Sequence, residues 1–326
     1  MRKNKTTRII CIILYAVYSL FLSACTQNTD EKTKIAVIVK ATDSDFWHNV
    51  KIGVDSAATE YNVSVTFDGP ENEEDFSTQN DLIEKAVAGG ADAIVFSAID
   101  YEKSSDALTA AARAGLKIVT IDSSADSPQI SMFIGTDNLE AGRAAGKAAT
   151  DGFAPESNIN IGIVNYYKST DNGIKREEGF REYIKSVPNA KIAASVNVAS
   201  NTDSAAARAA ALLSENPQIN VLVGFNEWMT LGVGKAIREL GLSEKVRGIG
   251  FDTNTVSIGM LETGEMDTLI IQNPFAIGYL GVKNAAELVS GEGGQKNDIY
   301  TSVTAVTKDN LFDKDIQKIL FSFNNQ

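Results

Sequence analysis

Short apolar runs alternate with stretches of helical periodicity along this chain, and the alternation occurs twice. Lys34 to Val39 reads KIAVIV, an apolar run of strand length, and Phe46, Val50, Val54 and Ala57 or Ala58 then recur at helical spacing in a segment reaching Glu60. The predicted order continues with strand Val63 to Phe67, helix Thr78 to Ala88, strand Ala91 to Phe96, helix Ser104 to Ala114 and strand Leu116 to Ile121. A second series opens with strand Ile159 to Val164. It runs on through helix Ile174 to Lys185, strand Lys191 to Val196, helix Ser204 to Leu213, strand Asn220 to Val223, helix Met229 to Leu240 and strand Val246 to Ile249. Short strands that alternate with helices belong in parallel sheets with helices on both faces. The expected fold class is α/β, as two doubly wound units in tandem.

Open parallel sheets bind ligands beyond the carboxyl ends of their strands. The residues at those ends are Lys40 to Trp47, Ser97 to Tyr101, Asp122-Ser123, Asn165 to Asn172, Asn226-Glu227, Asp252 and Gln272-Asn273. Carboxylates and amides bind pairs of adjacent hydroxyls, and an aromatic face suits the C–H side of a sugar ring. The set therefore reads as recognition rather than catalysis, and the chain is expected not to be an enzyme.

Other chemistry is poorly represented. His48 is the only histidine, the two cysteines are Cys11 and Cys25, and no metal site or cofactor is expected from so few ligands. No phosphate-binding G-x-x-x-x-G-K-[ST] run occurs, and Leu231-Gly232-Val233-Gly234 lacks the third glycine of the dinucleotide fingerprint. The acidic run Glu71-Asn72-Glu73-Glu74-Asp75 lacks the ligand spacing of a calcium loop and reads as a solvated loop. A formal net charge of −12 disfavours nucleic acid as a partner, because that polymer is held mainly through Lys and Arg.

Seven motifs recur in one recognisable order: KIAVIVKATDSDFW, GGADAIVFSAID, KIVTID, FIGTDN, GFNEWMTLG, GIGFDTN and IIQNPFAIGYLG. From Lys34 to about Asn310 the chain resembles the ribose-binding-protein-like branch of the type I periplasmic sugar-binding proteins, the receptors of ABC importers. The resemblance implies two doubly wound parallel-sheet lobes joined by a three-crossover hinge, with a sugar closed between them. The crossovers fall near Thr136-Asp137, Gln272-Asn273 and Thr304 to Val306. One lobe is then residues 32–136 plus 273–302, and the other 137–272 plus 303–326.

The family's binding positions carry over one at a time. Phe46 and Trp47 match the aromatic pair that flanks the sugar, although Phe46, four residues before Val50, also fits a core position. Lys40, followed seven residues later by Trp, resembles the allose-binding type more than the ribose-binding type. Asp122 and Asp252 match carboxylates that grip hydroxyls, with turn and cap roles as the alternative. Asn226 and Gln272 match amides of the site. Ser123 stands where ribose-binding relatives place an arginine. A second family arginine falls on Ile174, with Lys175 and Arg176 beside it as substitutes, and a closing aromatic falls on Ser200 or Asn201. Tyr166 and Tyr167 offer a replacement wall or a packing contact between lobes.

Arg2, Lys3, Lys5 and Arg8 precede the apolar run Ile9 to Leu22, which has the length of a signal-peptide core. Leu22-Ser23-Ala24-Cys25 resembles the bacterial lipoprotein cleavage motif, with Cys25 the lipid-bearing new N-terminus. Residues 1–24 are thus expected to be a signal peptide and 25–31 a tether. The expected product is a monomeric extracytoplasmic receptor, lipid-anchored to the membrane through Cys25. It delivers a monosaccharide to an ABC permease by hinge closure; the alternative partner is a membrane histidine kinase or chemoreceptor.

Overall fold

The computed structural model describes residues 32–292 and 297–321. Cys25, the leader and the tether lie outside the described residues. Twelve strands and ten helices follow one another among those residues. The first run is β1 Lys34–Ile38, α1 Asp45–Glu60, β2 Ser64–Asp68, α2 Phe76–Ala88, β3 Ala93–Phe96, α3 Ser105–Arg113, β4 Lys117–Ile121 and β5 Met132–Thr136. The second is α4 Asn138–Thr150, β6 Ile159–Asn165, α5 Asp171–Lys185, β7 Ala190–Asn197, α6 Thr202–Glu215, β8 Val221–Gly224, α7 Glu227–Glu239, β9 Arg247–Phe251, α8 Thr255–Thr263 and β10 Thr268–Ile271. The chain closes with α9 Pro274–Ser290, β11 Ile299–Thr301, β12 Thr304–Val306 and α10 Lys314–Phe321.

The strands form two six-stranded sheets, ordered β11-β5-β4-β3-β1-β2 and β12-β10-β9-β8-β6-β7. Every pairing is parallel except that of β12 with β10. The chain passes from the first sheet to the second after β5, returns after β10 to place α9 against α1, and crosses again between β11 and β12. Both faces of the first sheet are covered. Val37, Val95 and Val119 pack with Val50 and Val54 of α1 and Ile277 of α9, while Ile94, Phe96 and Ile118 pack with Ile83 of α2 and Leu108 of α3. In the second sheet, Ile161, Ile163, Leu222, Val223 and Ile249 share one core with residues of α4 to α8. Burial on both faces explains why these strands are continuous apolar runs rather than alternating ones.

Two features of local geometry set up the cleft. The helices that start there are capped by side chains: Ser44 Oγ accepts from Trp47 N at 3.3 Å, and Asn226 Oδ1 accepts from Met229 N at 2.9 Å. In addition, β4 and β9 each end in an aspartate with left-handed backbone, Asp122 at φ 57° and Asp252 at φ 63°. Aspartate tolerates that region better than most residues because its short polar side chain bonds locally. The two lobes repeat the device, since Asp122 N donates to Ile134 O and Asp252 N to Ile270 O, both at 3.0 Å.

Candidate functional site

Between the two sheets lies a narrow cavity of about 20 Å³, walled by residues from both. That is far below the about 300–1,000 Å³ typical of small-molecule sites, so the walls must part to admit a sugar. The first lobe contributes Lys40, Ser44, Phe46, Trp47, Glu73 and Asp122; the second contributes Asn172, Arg176, Asn226, Glu227, Trp228 and Asp252, with Gln272 at a crossover.

Lys40 and Asp122 form the charged centre of the first-lobe wall, with Nζ 3.3 Å from Oδ2. Burial opposes the Lys40 ammonium, but Asp122 and then Glu73 outweigh it and hold its pKa above the usual lysine value. Asp122 also accepts from Ser97 Oγ at 3.0 Å and from Asn172 Nδ2 of the opposite lobe at 3.1 and 3.2 Å. Trp47 is fixed by its indole N–H, which donates to Glu73 Oε1 at 3.0 Å. The Phe46 ring meets it edge-on, with centroids 4.9 Å apart.

Across the cleft, Arg176 donates Nε to Asn138 Oδ1 and Nη1 to Phe225 O, both at 2.8 Å, and its guanidinium lies 4.7 Å from the Phe251 ring centroid. Its Nη2 is buried without a hydrogen-bond partner, and it is the one such atom among the described residues that belongs to a cavity-lining side chain. A buried guanidinium donor left idle is costly, so this atom marks where a ligand acceptor is wanted. Gln272 ties the site to the crossovers, donating Nε2 to Asp252 Oδ1 at 2.6 Å and accepting from Thr136 Oγ1 at 2.7 Å. Burial, only partly offset by Arg176 and Gln272, raises the pKa of Asp252.

Eight of the nine ligand-binding candidates line this cavity: Lys40, Phe46, Trp47, Asp122, Arg176, Asn226, Asp252 and Gln272. Ser123 does not; it is buried behind the wall, with an unpartnered Oγ. Phe46 is both core and wall, since it packs with Val50 and also borders the cavity. Ile174 is 45 % exposed, so Arg176, two residues on, occupies the interior in its place.

The acidic run needs correction. Glu73 is not part of a solvated loop: it is buried, and besides Trp47 it binds Ser200 Oγ of the other lobe at 3.0 Å. Glu74 accepts from Ser200 N at 2.9 Å. The position that lacks the expected aromatic is thus a polar latch, and Trp228 adds an aromatic to the wall instead. Of the two tyrosines, Tyr166 is buried beneath Lys40, its Oη donating to Asn172 Oδ1 at 2.7 Å, and Tyr167 donates to Asp100 Oδ2 across the lobes at 3.4 Å. His48 is exposed on α1. No group of His, Cys, Asp and Glu among the described residues has the arrangement of a metal site.

A family model described as a periplasmic binding protein domain matches residues 35–293. The chain is 25% identical over 303 residues to the D-ribose/D-allose-binding protein of Pseudomonas aeruginosa, covering 90% of this chain and 94% of that one. Among solved structures, a carbohydrate transporter solute-binding protein of Agrobacterium radiobacter in complex with D-arabinose superposes with a TM-score of 0.85 at 31% identity, over 89% of this chain and 99% of that one. An ABC transporter solute-binding protein of Agrobacterium vitis with bound D-fucose gives 0.84 at 30% identity, over 88% and 99%.

Proposed function

The chain belongs to the periplasmic binding protein family, and from that premise we propose that it is an extracytoplasmic receptor that closes its lobes around a neutral monosaccharide and presents the closed form to an ABC importer. The observation that carries this reading is the cavity itself, in which hydroxyl-binding carboxylates and amides from both lobes face an aromatic pair, with one idle guanidinium donor. Its charge argues for a neutral ligand. Four carboxylates, Glu73, Asp122, Glu227 and Asp252, surround two cations, Lys40 and Arg176, so a sugar acid or phosphate would enter against a surplus of negative charge. The proposed lobes are residues 32–136 plus 273–302 and 137–272 plus 303–326. No nucleophile with a positioned base accompanies the cavity in this reading, which assigns binding and not turnover. A thermal-shift screen of D-ribose, D-allose, D-arabinose, D-fucose and related neutral sugars tests it. One or a few should raise the melting temperature through mass action on the folded form. If none does at millimolar concentration, the sugar-receptor reading fails.

The proposal extends to the anchor. The basic leader and the Leu22-Ser23-Ala24-Cys25 run support processing to a lipid-bearing Cys25, with the receptor acting as a monomer at the membrane. No described helix is long and apolar enough to cross a membrane. Intact-mass measurement of membrane-extracted protein is expected to show a chain beginning at an acylated Cys25, and Cys25→Ala is expected to abolish that product. An unmodified chain beginning at Met1 would contradict the anchor.

A further inference from the structure

Like Asp122 and Glu73, Glu227 is bonded to both lobes at once, but those two share Lys40 as an ion-pair partner and Glu227 pairs with no cation of the cavity. It opens α7, and its Oε2 accepts from the backbone N–H of Phe46 in the first turn of α1, at 3.3 Å. Its Oε1 accepts from Asn254 Nδ2, at the start of α8 in its own lobe, at 2.8 Å. Asn254 is itself locked by a capping box with Ser257, so its amide is aimed at Glu227 and not free to turn. The bond to Phe46 N exists only when the lobes are together, because α1 belongs to one sheet and α7 to the other. The Asp122, Asp252, Asn226 and Gln272 contacts described above do not need Glu227; none of them is made to it.

We infer that Glu227 is a positioning residue that clasps the lobes, and that the cleft takes up a proton there as it closes. This rests on the receptor reading above and adds a proton to it. The charged groups that face Glu227 are both acidic, Asp252 at the end of β9 and Asp45 in the first turn of α1. The cations of the cavity, Lys40 and Arg176, are engaged with Asp122 and Glu73 and with Asn138 and Phe225. Closure therefore brings Glu227 out of water without a cation of its own. Burial is the largest influence and raises its pKa; the hydrogen bond from Asn254 opposes it, Asp252 raises it further and the bond from Phe46 N opposes it, and the balance stands at about 7.

The direction of the effect follows. In the open form Glu227 returns to water and to an ordinary carboxylate pKa, so the closed form holds more protons between that value and about 7. Acid favours closing, and the advantage is lost as pH rises through the closed-form value. With a closed-form pKa of about 7, a ligand that requires closure should bind about tenfold more tightly at pH 6 than at pH 8.

The test uses calorimetric titration of the chain with D-ribose, D-allose, D-arabinose and D-fucose at both pH values, for wild type and Glu227→Gln. The amide keeps one acceptor, for Phe46 N, gives up the bond from Asn254 Nδ2 and removes the titration. The expected result is a tenfold pH effect in wild type with net proton uptake on binding, and at most a threefold effect in Glu227→Gln. Equal affinities in wild type, or the full slope in Glu227→Gln, overturn the inference and leave the receptor reading standing. If no sugar of the panel binds at either pH, the receptor reading falls, and small-angle scattering of the sugar-free chain decides the clasp. Compaction from pH 8 to pH 6 that Glu227→Gln loses supports it; no compaction, or the same compaction in the variant, overturns it.

Discussion

Replacing Asp122 by alanine should weaken sugar binding by at least a hundredfold. Two losses combine. Sugar hydroxyls held by the carboxylate would be left in a closed cavity without a charged acceptor, at a cost of about 1.5–3 kcal/mol, or about ten- to hundredfold in affinity. In addition, Lys40, whose Nζ lies 3.3 Å from Asp122, would keep only Glu73 at 3.9 Å as a carboxylate partner. Leaving a buried charge short of its partner is more damaging than losing the pair entirely. Asp252→Ala should cost less, about ten- to hundredfold, because its partner Gln272 keeps Thr136, and Arg176, which acts on it through charge, keeps Asn138 and Phe225. Trp47→Ala should also weaken binding, whereas His48→Ala, one residue along on the exposed face, should leave it unchanged. Calorimetry with circular dichroism on the same samples checks all four. Parent-like affinity for Asp122→Ala and Asp252→Ala would place the ligand elsewhere.

Gly179→Val should lower global stability by about 3 kcal/mol, the upper part of the range for overpacked sites. A Cβ at Gly179 of α5 would stand 2.0 Å from Leu139 O of α4, and one at Gly142 of α4 would stand 2.1 Å from Arg176 O. These are backbone atoms of two helices in direct contact, so no side chain can move aside. Because Arg176 lies on α5 at this crossing, the variant should also lose affinity beyond its loss of stability. Gly259→Ala provides the contrast. It lies within α8 with nothing within 4 Å of its Cβ position, and removing a helical glycine there should raise stability by up to about 1 kcal/mol. Urea denaturation with constant slope in both variants measures the difference.

The same crossing explains what was hard to read in the sequence. The apolar runs of β1, β3, β4, β6, β8 and β9 announce themselves because both faces of each sheet are covered. Helix α4 does not: NLEAGRAAGKAAT has alanine and glycine where an amphipathic helix shows large apolar residues, since its contact face needs close backbone approach. Arg176 was legible only as a neighbour of Ile174. Two helical steps turn the chain by about 200°, which puts Ile174 outside and Arg176 inside, a rotation that no motif match reports.

Glu73 failed for a different reason. In a run of acids nothing local marks one as buried, and its burial depends on Trp47, Lys40 and Ser200, which arrive from three other segments. Glu227 was visible as a strand-end residue, but its clasp depends on Phe46 N of the opposite lobe. Residues that directly follow a strand, such as Asp122, Asp252 and Gln272, were therefore the ones the pattern could locate. A residue such as Glu73, which lies away from a strand end and is buried by partners from other segments, was not.

Closure around a sugar is read by small-angle scattering of the chain with and without the tightest-binding sugar of the screen. Wall residues come from both lobes and three crossovers join them, so ligand should shift an open ensemble to a closed one without a change in subunit number. The radius of gyration should fall at saturating sugar while the molecular mass stays the same; an unchanged radius of gyration at saturation would mean that the lobes do not close on the ligand.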